Sequence, residues 1–92
     1  MDDIEIHRKK LLFRAGHRGT KEMDMLLGNF ANKYIQLFDE IELVMLSTLL
    51  DCEDDLIYKC LLDKESVPSE IDNRIFHLLK DTAIKNNVFT SN

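Results

Sequence analysis

Residues 15–34 read AGHRGTKEMDMLLGNFANKY. Their second half decides the fold. Met23, Leu26, Leu27, Phe30, Ala31 and Tyr34 recur at the i, i+3, i+4, i+7, i+8, i+11 spacing of one buried helical face. Thr20 stands where an N-cap is needed, and Glu22 and Asp24 suit the positive end of the helix dipole. Just ahead of the cap, Gly16 and Gly19 bracket His17 and Arg18. Gly16 is a natural stop for a preceding helix, and Gly19 is expected to take a positive φ in the turn. Arg18 is the odd member. A cation beside a helix N-terminus is mildly unfavourable unless it pairs with Glu22 or with a group outside the chain.

Working outward, the same periodicity predicts four more helices. The first covers about Ile4 to Ala15, with Leu11, Leu12 and Ala15 on one side. The third spans Asp39 to Leu50, with Ile41, Val44, Met45, Thr48 and Leu49 facing inward. Leu43, Leu46 and Leu50 add a second apolar stripe, which places this helix centrally; self-association is the alternative use of that stripe. The fourth covers Glu53 to Asp63, with Leu56, Ile57, Cys60 and Leu61 inward. KESVPSE (64–70) breaks the pattern, and Ser69 followed by Glu70 can start a fifth helix carrying Ile71, Ile75, Leu78, Leu79 and Thr82. The tail after Lys85 is polar enough to fray. Strand signals are weak, so the expected fold is all-α, a compact five-helix antiparallel bundle. It is one domain over residues 1–92, ordered from about 4 to 85.

Charge is unevenly spread. His7 to Lys21 holds six basic residues and no acid, whereas Asp39 to Asp55 holds seven acids and no base. Such a chain has a large dipole and should orient toward a charged partner. Nucleic acid is a poor candidate, because the formal net charge is −5 and no aromatics interleave the basic stretch. Cys52 and Cys60 are too few, and wrongly spaced, for a zinc knuckle or a redox pair, and read as reduced thiols. The opening MDDIEIH resembles neither a secretory signal nor a mitochondrial leader. No apolar run approaches the ~20 residues that span a bilayer. A cytoplasmic bacterial protein without membrane insertion is the expectation.

Catalysis finds no support. His7, His17 and His77 lie on three different segments, with no spacing that suggests a triad, a Cys-His pair or a metal cluster. Gly16-x-x-Gly19 between two helices is not a dinucleotide fingerprint, which needs a preceding strand. No catalytic and no metal-ligating residue is expected.

RGTKEMD, Arg18 to Asp24, resembles the Arg-Gly-x-x-Glu signature, followed by a hydrophobic residue and Asp, of the succinate dehydrogenase assembly factor 2 family. The basic lead-in and the Leu-Leu-Gly-x-Phe continuation in RKKLLFRAGHRGTKEMDMLLGNF are similar to that family's, as are LSTLLD, DDL and VPSE downstream. The resemblance covers roughly residues 8 to 80. It implies a five-helix bundle that promotes covalent attachment of FAD to the flavoprotein subunit of succinate dehydrogenase, and in some bacteria of fumarate reductase. It also implies that Arg18, Gly19 and Glu22 carry the client contact, flanked by Arg14, His17 and Asp24. FAD is then the client's cofactor, not stably bound by this chain, which acts as a monomer. Where the family commonly has a tryptophan in the fourth helix, this chain has Lys59, and its acidic turn is one residue shorter. Relatives have also been described as antitoxins, so a toxin-binding or cytoskeletal interaction role is the second reading. A nucleic-acid module resting on Arg8 to Lys21 is the third.

Overall fold

Thr20 caps the helix that the apolar spacing marks: its Oγ1 accepts the Met23 amide at 3.2 Å. In the computed structural model, which describes residues 2–86, this helix is α2 (Lys21–Tyr34). It follows α1 (Asp3–Ala15) and precedes α3 (Glu40–Leu50), α4 (Asp54–Leu61) and α5 (Arg74–Lys85). A 3-10 turn, Ile35–Leu37, extends the end of α2. No strand occurs among the described residues, and the fold is all-α as the spacing predicts. The tail expected to fray lies largely outside the described residues.

The buried face of α2 is the one that the sequence marks. Met23, Leu26, Leu27, Phe30 and Ala31 are all buried, and Tyr34 packs partly against the same core. Each large apolar side chain so removed from water contributes about 1.5–3 kcal/mol. The Phe30 ring is tilted against both Tyr34 and Phe38, with centroids 5.3 and 6.1 Å away. Helix α1 packs against α2 and α3, and α5 closes the core from the other side against the same two helices. Gly28 sits at the α1–α2 crossing. A Cβ there would lie 3.3 Å from Gly16 Cα, so the two backbones come close because neither position has a side chain.

Four expectations need correction. In α3 the inward stripe is Leu43, Leu46, Leu49 and Leu50, whereas Ile41 and Val44 are 63% and 58% exposed. That helix is apolar on both faces, so its spacing is degenerate; packing against α1 and α5 selects the leucine stripe and leaves it no role in self-association. The last helix starts at Arg74, not near Ser69, because Asn73 Oδ1 accepts the amides of Ile75 and Phe76. The link from Leu62 to Asn73 is correspondingly longer. Gly19 does not take a positive φ; the described residue that does is Asp63 (φ 60°). Asp63 ends α4 in a Schellman motif, its amide donating to Cys60 O and that of Lys64 to Lys59 O at 2.9 Å. Helix α4 therefore stops at Leu61, short of the expected Asp63.

No helix among the described residues is long and apolar enough to cross a membrane. Gly28→Leu should overpack the α1–α2 crossing and destabilise the domain by about 1–3 kcal/mol, measured by urea titration of the helical circular dichroism. Asn73→Ala should cost roughly 1 kcal/mol as a lost cap, while Ser69→Ala leaves the midpoint unchanged; equal effects of the two would move the start of α5 back to Ser69.

Candidate functional site

Arg18 is held by groups far away in the sequence. Its Nε donates to Asp54 Oδ1 at 2.7 Å, one terminal nitrogen to Leu50 O at 2.6 Å and the other to Cys52 O at 2.6 Å. The two side chains of the ion pair are only 10% and 20% exposed. Asp54 Oδ2 accepts the Gly19 amide at 3.1 Å, and Asp24 folds back to accept the Arg18 amide. The turn between α1 and α2 is thereby clasped to the link between α3 and α4. A planar guanidinium with fixed donors suits one carboxylate and two carbonyls at once, which an ammonium could not match.

Two further arginines of the basic run act in the same way. Arg8 Nε donates to Ile35 O at 3.2 Å and Arg8 Nη2 to Phe38 O at 2.9 Å, with Glu5 beside them. Arg14 donates to Asp51 Oδ1 at 2.6 Å and Ser47 Oγ at 3.3 Å. The expected large dipole is thus reduced at its centre, because Arg14–Asp51 and Arg18–Asp54 bring the basic and acidic stretches together.

The six residues marked in the sequence divide into two groups. Arg14, Arg18 and Asp24 are engaged inside the fold. Glu22, expected to orient Arg18, makes no hydrogen bond with it among the described residues; Asp54 takes that place. Gly19 and Glu22 are exposed. The freedom that Gly19 provides is of space, since an added Cβ would meet only Asp54 Oδ2, at 3.6 Å. His17 is exposed, stacks on Phe13 with ring centroids 3.9 Å apart, and lies with Nδ1 2.8 Å from Phe13 O. Because a carbonyl only accepts, Nδ1 is the donor in that contact.

Beside this corner, α2 lines two adjoining grooves. The smaller, about 320 Å³, is lined by Thr20, Glu22, Met23, Asp54, Asp55 and Tyr58. The larger, about 530 Å³, shares Glu22, Met23 and Tyr58 and extends past Met25, Leu26 and Phe30 to Lys33 and Asn86. The spacing of α2 marks its buried stripe, but Asp54, Asp55 and Tyr58 come from α4 and carry no local signal that pairs them with Glu22. Lys59, at the position discussed above, pairs with Asp55 at 3.1 Å on the exposed side of α4.

Burial is the main cause that pushes the Cys52 thiol up, with Asp51 and Glu70 adding to it, and burial does the same at Cys60. Protonated thiols are poor nucleophiles and poor metal ligands. No group of three or more His, Cys, Asp or Glu among the described residues could hold a metal ion.

A family described as the flavinator of succinate dehydrogenase matches residues 9–83. The chain is 36% identical over 80 residues to succinate dehydrogenase assembly factor 2, mitochondrial, of Dictyostelium discoideum, covering 87% of this chain and 57% of that protein. It is 31% identical over 78 residues to the protein of that name in Arabidopsis thaliana, with 84% and 42% covered. With the FAD assembly factor SdhE of Acetobacter pasteurianus it shares 32% identity over 69 residues, 75% of this chain and 63% of that one. The chain spans about half the length of these mitochondrial relatives. With the match running from α1 into α5, the chain belongs to the flavinator of succinate dehydrogenase family, that of succinate dehydrogenase assembly factor 2.

Proposed function

We propose that this chain is a non-enzymatic assembly factor that binds the flavoprotein subunit of succinate dehydrogenase and promotes covalent attachment of its FAD. Family membership is the observation that carries this reading. The geometry of the corner supports it. Gly19 and Glu22 stand exposed on a turn whose position is set by the Arg18 clasp. A client can approach Gly19 closely, and the Glu22 carboxylate can accept charge-assisted hydrogen bonds from it. His17 and Arg14 border the same turn.

Covalent flavinylation joins the flavin to a histidine of the client, so client and cofactor supply the reacting atoms. A small rigid partner accelerates such a step by holding the client in the geometry that brings histidine and flavin together. In this reading Arg18 and Asp24 are positioning residues, and Gly19 and Glu22 make the contact. The flavin stays the client's cofactor. In this reading the chain works as a monomer in a bacterial cytoplasm; likeness to the Acetobacter pasteurianus factor supports the bacterial setting alone. The same corner would serve fumarate reductase where that enzyme is the client.

Two variants separate scaffold from contact. Arg18→Ala removes one partner of a largely buried pair and should destabilise the domain by roughly 3–5 kcal/mol, seen as a lowered urea midpoint. Glu22→Ala should change stability by no more than about 0.3–1 kcal/mol, its share of the helix dipole. Flavinylation of the client subunit, followed by in-gel flavin fluorescence, should nevertheless fall roughly tenfold, the loss of one charge-assisted hydrogen bond. Full flavinylation with folded Glu22→Ala protein would remove the corner from the contact.

A further inference from the structure

The two grooves beside α2 form one channel with a charge at each end. At one end Glu22, Asp54 and Asp55 converge, and that end holds no cation in its lining. Arg18 neutralises Asp54, and Lys59 reaches Asp55 only as an exposed pair. Glu22 has no ion pair among the described residues and lines both grooves. At the other end stands Lys33, eleven positions further along α2 and so about 16 Å away at a helical rise of ~1.5 Å per residue. Between them Met23, Met25, Leu26 and Phe30 supply the apolar part of the wall, beside the polar side chains of Asn29 and Thr82. Met25 is 56% exposed and adds a flexible thioether side chain to this wall.

We propose that this channel receives an extended segment of the flavoprotein client, about five residues long at ~3.3 Å per residue. Its chemistry follows from the walls. A basic side chain meets Glu22 and Asp55, one or two large apolar side chains cover Met23, Met25 and Phe30, and an acidic group meets Lys33. The proposal rests on the assembly-factor reading above and adds a second contact continuous with the Gly19–Glu22 corner through Glu22 itself. Methionine-lined surfaces adapt to such segments because the thioether side chain is unbranched and flexible. The dinucleotide FAD suits the channel poorly, since its pyrophosphate would meet carboxylates at one end and a single lysine at the other.

The test uses the full chain carrying 13C-methyl methionine, titrated with the FAD-free flavoprotein subunit of succinate dehydrogenase. The Met23 and Met25 methyl signals should shift on binding, whereas Met45 on α3 should show only the general broadening of a larger complex. Met25→Glu, an exposed substitution that leaves the core intact, should weaken binding roughly tenfold or more, because an unpaired carboxylate would be covered. Asp55→Asn should weaken it severalfold, less so at high salt. Ile41→Glu, on the exposed face of α3, should bind as the parent chain does.

If folded Met25→Glu and Asp55→Asn bind with parental affinity while Glu22→Ala does not, the channel is not the docking site and the corner alone is. Failure of the parent chain to bind the subunit at all overturns the assembly-factor reading, and this proposal with it. Methyl shifts of Met23 and Met25 that follow the chain's own concentration, with the mass of a dimer, would assign the channel to a second copy instead.

Discussion

The fold depends on one guanidinium. Arg18 stands in a short turn that has too few apolar atoms to place itself, and its donors bind a carboxylate and two carbonyls from the link between α3 and α4. These acceptors have their own need for it. Leu50 O and Cys52 O belong to the end of α3 and the residues after it, where helical carbonyls lose their partners. Asp54 is the first residue of α4, whose N-cap, Glu53, makes no side-chain capping bond. One side chain thus satisfies the end of one helix and the start of the next while fixing the entry to a third. Asp54 also receives the Gly19 amide, so the clasp is closed on both sides.

Much of the bundle was legible from spacing, and where it was not, the reason is physical. A helix apolar on one face reveals which side is buried, as in α2. Helix α3 is apolar nearly all round, and spacing alone cannot choose between two stripes that both recur at helical period. Its N-cap was within reach: Asp39 and Glu42 form a capping box, each side chain bonding the other's amide, and that pair is visible three residues apart. The start of α5 was misplaced because Ser69 and Asn73 are both competent caps, and a local pattern does not say which is used. Ile71 is buried although it precedes the helix, so its apolar character suggested a helix where there is only an isolated turn, the Ile71 amide donating to Pro68 O at 3.1 Å.

The site was harder to read, because its logic is long-range. From the sequence, the basic stretch and the acidic stretch look like opposite poles. In the fold they are partly partners, since Arg14 and Arg18 meet Asp51 and Asp54 across the helix junctions. The poor position of Arg18 beside a helix N-terminus was a sound local signal that a partner was needed. The partner lay 36 residues further on, where no periodicity points. Nor could spacing separate Arg18 from Glu22: both are charged residues beside the same turn, and only burial shows that one is spent within the fold and the other is offered to solvent.

That division also bears on how the proposed contact could sit on a turn at all. Turns are usually the mobile parts of a small domain, and a mobile contact loses affinity to the entropy of ordering it. Here the residues on either side of the exposed pair are tied down: Arg18 by its three acceptors, the Gly19 amide by Asp54, and Met23 by the Thr20 cap. Glu22 lies within the first turn of α2, where the helix dipole also favours its charge. The carboxylate therefore stands on a tied-down turn of backbone, where the two grooves meet. On the proposed reading, a client that must be held while its histidine meets the flavin needs a rigid template more than a strong adhesive, and a clasped turn on a ninety-two-residue bundle would supply one.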